Sequence, residues 1–69
     1  MPKKENIEKS VNLSDKIFGL SDDGQKTFKE RITRAARGDD LALGQIIISS
    51  YGYRNNETIN EILSLILPD

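Results

Sequence analysis

Sixty-nine residues allow one small domain, marginal on its own core and usually supported by a disulfide, a metal or a partner subunit. The chain has no cysteine and no histidine, which excludes disulfides and thiolate metal sites and removes the commonest general base. Its net charge of −1 conceals a split: residues 1–38 carry nine Lys/Arg against six Asp/Glu, and residues 39–69 carry one Arg against five Asp/Glu.

Residues 1–12 are polar and lysine-rich, with only Ile7 and Val11 as a spaced apolar pair. They read as a flexible, loosely attached N-terminal segment, a frayed tail or a weak short helix, ahead of a single helical domain over residues 13–69. No apolar region follows Lys3 and Lys4, so a signal peptide is not expected. No apolar run approaches the ~18–20 residues of a membrane span. The expected setting is the cytoplasm, with no membrane partner.

Residues 13–20 fit two readings. Ser14 caps a helical turn that Gly19 ends, or Lys16–Leu20 forms a short strand. The first long helix is predicted over Asp22–Arg37. Ser21 is its cap, and Asp22 and Asp23 sit where the helix dipole favours anions. Phe28, Ile32, Ala35 and Ala36 recur at helical spacing as one apolar stripe. Lys26, Lys29, Arg31, Arg34 and Arg37 spread over the opposite arc, interrupted by Glu30, and form the candidate nucleic-acid face. Gly38 supplies the positive φ that stops the helix.

Asp39 or Asp40 caps the next helix, about residues 40–51. Leu41, Leu43, Ile46, Ile47, Ile48 and Tyr51 point nearly all round it, a pattern normally buried on every side. Gly52-Tyr53-Arg54-Asn55 is the following turn, and Asn55 or Asn56 caps a last helix over residues 57–67 that Pro68 ends. Its apolar residues cover more than half its circumference. The expected fold is therefore all-α, with three core helices. The last helix has too little cover within such a domain, so Ile59, Ile62, Leu63, Leu65 and Ile66 are the expected self-association residues of a homodimer.

Ala35-Ala36-Arg37-Gly38-Asp39-Asp40-Leu41-Ala42-Leu43 is a tight helix–helix corner, in which small Ala35 and Ala42 permit close approach. With Phe28, Ile32, Ile46, Ile47 and Tyr51, it resembles the opening helices of bacterial sigma-factor region two. It is equally similar to the short helix-turn-helix proteins of conjugative transposons. The resemblance covers about residues 28–51 and implies a role in transcriptional or mobile-element control. The acidic, aromatic promoter-melting segment of a sigma factor has no counterpart over residues 54–67.

Catalytic constellations are absent from the sequence. Asp22-Asp23 and Asp39-Asp40 are adjacent on the chain, do not face one another on a helix, and stand where caps are needed. No cofactor, metal or small-molecule substrate is expected. The chain reads as a non-catalytic regulatory protein acting through protein–protein contacts, with itself and another protein as partners. The alternative is a dimeric, sequence-specific DNA-binding regulator. In its helix-turn-helix form Gly52 is the turn residue; in its ribbon-helix-helix form Lys16–Leu20 is the strand.

Overall fold

The computed structural model describes residues 2–51 and 54–67. Helix α1 spans Lys4–Leu13 and runs into one 3-10 turn, Ser14–Lys16. Helix α2 is Asp22–Ala36, α3 is Asp40–Ser49 and α4 is Asn56–Ile66. The described residues contain no strand, and none of their helices is long and apolar enough to cross a membrane.

Local chemistry sets the limits of α2. The Ser21 hydroxyl accepts the Gly24 N–H at 3.1 Å, satisfying one of the free donors of the first turn. At the other end Gly38 takes φ +103°, a conformation closed to most side chains. That reversal lets the Gly38 N–H reach the Ala35 carbonyl and the Asp39 N–H reach the Arg34 carbonyl. Asp39 then caps α3, its Oδ1 accepting the N–H groups of Leu41 and Ala42 at 3.1 and 3.3 Å. Ala35 and Ala42 are both buried at this corner, so α2 and α3 pack directly.

The core is aliphatic with one ring. Phe28, Ile32, Ala35 and Ala36 of α2 meet Ala42 and Ile46 of α3, Ile59, Ile62, Leu63 and Ile66 of α4, and Ile17 from the connecting loop. Three core helices therefore stand as expected, but a fourth joins them. Residues 4–13 are a helix docked on α4 and α2, where a loosely attached segment was expected. The physical reason lies in two serines. Ile7, Ser10, Val11 and Ser14 fall at i, i+3, i+4 and i+7 and make the inner face. Ser10 and Ser14 are completely buried, and their hydroxyls donate to the carbonyls of Asn6 and Val11 at 2.8 and 2.6 Å. With no polar atom left unpaired, small side chains at these positions let the backbone of α1 approach its neighbours.

The 17–20 stretch is irregular, with Gly19 at φ +85°, so Lys16–Leu20 is not the strand that a ribbon-helix-helix needs. It is held by Asn55. That carboxamide accepts the Phe18 N–H at 2.9 Å and donates to the Phe18 carbonyl at 3.1 Å. Asn55 occupies the N-cap position of α4 without capping it through its side chain, because the tertiary pair takes the amide instead. The Asn56 carboxamide donates to the Ser50 carbonyl and ties the ends of α3 and α4 together. The Gly52–Tyr53 turn of a helix-turn-helix, and Pro68 as the stop of the last helix, lie outside the described residues.

Candidate protein-docking surface

A helix apolar on every side is expected to be buried on every side, and α3 departs from this. Ala42 and Ile46 point into the core and Leu43 is half-buried. The opposite side carries Leu41, Ile48 and, just past the helix, Tyr51, which are 77%, 69% and 80% exposed. Successive steps of three or four residues from 41 through 44 to 48 and 51 place them in one row on the helix surface. These three are the most exposed large apolar side chains among the described residues. Ile47 borders the row at 36% exposure.

Gly44 sits in the middle of that row. Its φ is not positive, and a Cβ built on it would meet no atom within 4 Å. Neither backbone conformation nor intramolecular crowding therefore requires glycine there. In a helix interior glycine costs about 1 kcal/mol relative to alanine. The consequence is a shallow notch between Leu41 and Ile48 on an otherwise apolar ridge.

The residues expected to join two copies have a different place. Ile59, Ile62, Leu63 and Ile66 are core residues of the single chain, 1%, 0%, 9% and 2% exposed. Part of the cover they lacked in the three-helix expectation comes from α1. Leu65 alone stays partly open, lining a cleft of about 490 Å³ with Lys9, Leu13, Lys16 and Glu61 between α1 and α4. A face already filled within the chain cannot also be the seam of a dimer without unfolding it.

Lys26, Lys29 and Arg34 line one shallow cleft on α2 together with Glu30 and Thr33, so the basic residues are gathered but not free of counter-charge. Lys29 pairs with Asp15 at 2.8 Å, and Arg34 lies 3.7 Å from Glu30 one turn earlier. Lys26 and Arg37 are exposed, with no ion pair among the described residues. Arg31 turns aside, into a cleft of about 480 Å³ floored by Ile17, Phe28 and Ile59. Phosphate tracking wants clustered cations free of counter-charges. Two of the five have an exposed acidic partner, and Arg31 lines a different cleft.

Hydropathy around α3 gave no signal for which side would be left open, because both sides are apolar. The informative feature was Gly44, a helix breaker with no local task. No protein-family model, curated protein or solved structure matches the chain.

Proposed function

We propose that this chain is a non-catalytic binding module of the cytoplasm that regulates another protein by docking it on the outer face of α3. The observation that carries the reading is the row Leu41, Ile48 and Tyr51, three large apolar side chains left in water on one side of one helix. Single exposed apolar residues are ordinary, but a contiguous row is a contact surface. Aromatic and branched side chains held on a rigid helix lose little entropy on binding, which suits them as anchors. The setting we propose is transcriptional or mobile-element control, on the resemblance of residues 28–51 to sigma-factor and conjugative-transposon regulators.

A second reading, a dimeric DNA-binding regulator, draws on Lys26 and Arg37, which are exposed and have no ion pair among the described residues. The two readings part on one pair of variants. Affinity capture from the native host should lose its partner with Ile48→Lys and keep it with the double variant Lys26→Glu/Arg37→Glu. The opposite pattern, together with a salt-dependent shift of DNA by the wild type, would replace docking with nucleic-acid binding.

A further inference from the structure

We propose that the cleft between α1 and α4 is a second docking site, which takes an acidic amphipathic helix of another protein. It shares no residue with the row on α3, and α1 and α3 make no contact with each other. A helix seated in the cleft therefore leaves the α3 row open. One wall of the cleft is Lys9, Asn12, Leu13 and Lys16, at i, i+3, i+4 and i+7 along α1 and the 3-10 turn that follows it. The other wall is Glu61 and Leu65, one turn apart on α4. Leu13 and Leu65 are half-buried, and Leu65 is the apolar residue of α4 that the core does not take.

Charge selects the occupant. Lys9 and Lys16 are exposed and have no ion pair among the described residues, although Glu61 stands in the same cleft. Asp15, beside Lys16 in the chain, is taken by Lys29. The cleft therefore sets two cations about 11 Å apart along the axis of α1, with two leucines between them. Phosphate tracking has no use for a leucine floor or for the Glu61 carboxylate, and a membrane surface recruits clusters of about four to eight Lys/Arg. A helix lying along the cleft matches it. Carboxylates seven residues apart stand about 10.5 Å apart on one helix face and meet both lysines. Apolar residues three and four positions after the first carboxylate meet Leu13 and Leu65, the usual spacing of a helix in a groove. The described helices of this chain carry no such pattern for a second copy to offer. Glu8 and Asp15 flank Val11, which packs against the core, and Asp23 and Glu30 flank Lys26 and Thr27. The occupant is thus a different protein, and a contact two turns long belongs with small, transient interfaces.

The probe is a capped, fluorescein-labelled, alanine-rich peptide of about 16 residues, long enough to populate a helix. It carries two glutamates seven positions apart, and leucines three and four positions after the first. Its control has lysines in place of the glutamates. In anisotropy titrations at low salt the wild type should bind the glutamate peptide roughly tenfold or more tighter than the lysine peptide. The double variant Lys9→Glu/Lys16→Glu should invert that preference, a gain that an unfolded chain could not show. Ile48→Lys should leave binding of the glutamate peptide unchanged. A wild type with no preference up to millimolar peptide, or a double variant that keeps the wild-type preference, overturns the proposal. Loss of peptide binding through Ile48→Lys would move the helix to α3, which overturns the second site and leaves the docking role of α3 standing.

Discussion

Helix α4 hides Ile59, Ile62, Leu63 and Ile66 inside the chain, whereas α3, with as many isoleucines, keeps Leu41, Ile48 and Tyr51 in water. The exposed helix is the more apolar of the two, with six apolar residues of ten against five of eleven, so content does not decide exposure. Position in the packing does. α4 lies against α1 and also meets α2 and α3, while the outer side of α3 has no neighbour among the described residues. Burial against α1 is part of what completes the core, at about 1.5–3 kcal/mol for each fully covered aliphatic side chain. The outer row of α3 contributes nothing of that kind to the single chain, which is why we assign it to a contact between molecules.

The contrast can be broken first at Ile62, which is fully buried. Ile62→Ala should cost about 2–5 kcal/mol, the range for an aliphatic truncation that leaves a cavity. Urea denaturation would read it as a large drop in midpoint. A loss below 1 kcal/mol would mean that α4 is not the packed helix described here.

Ser10 tests the other side of the same contact. A leucine there has no room, so Ser10→Leu should destabilise by about 1–3 kcal/mol through overpacking. A loosely attached N-terminal segment would tolerate the change without a shift in thermal midpoint. Gly38→Val should cost a similar ~1–3 kcal/mol, all of it from backbone strain at positive φ, because a Cβ there meets nothing within 4 Å. Equal denaturation midpoints for Gly38→Val and wild type would remove the corner.

Gly44 gives the smallest effect and the opposite sign. Gly44→Ala should stabilise the isolated chain by about 0.5–1 kcal/mol, since the helix gains propensity and the added methyl meets no atom. A destabilised Gly44→Ala would show that the notch has an internal purpose.

What could be read from the sequence was local. Ser21, Gly38 and Asp39 act on backbone groups within three or four residues, so their roles and the limits of α2 follow from spacing alone. What could not be read was tertiary. Ser10 and Ser14 count as polar in any hydropathy pattern, and their burial becomes visible only once their hydroxyls are seen bonded to their own helix. Asn55 was legible as a cap residue, yet its amide is claimed by Phe18, 37 positions away. Ile59, Ile62, Leu63 and Ile66 are legible as apolar, but not their burial within the single chain, because residues 1–12 read equally as a frayed tail or a weak short helix and so promise them no cover. For α3, apolar on both sides, periodicity offered no direction at all.

The serine-lined face of α1 has a consequence for how the molecule is made. Synthesis proceeds from the N-terminus, so α1 emerges first, and α4, its main partner, is the last helix of the described chain to be added. At about 5–20 residues per second, α1 waits roughly three to eleven seconds before Asn56–Ile66 has been translated. A ten-residue helix alone is marginal in water, so during that interval the segment is an open strand of nascent chain. Had its inner face been built from leucine, it would be adhesive for as long as it waited. Serine is inert in the extended chain and becomes a packing surface only when the helix forms and its hydroxyls turn inward.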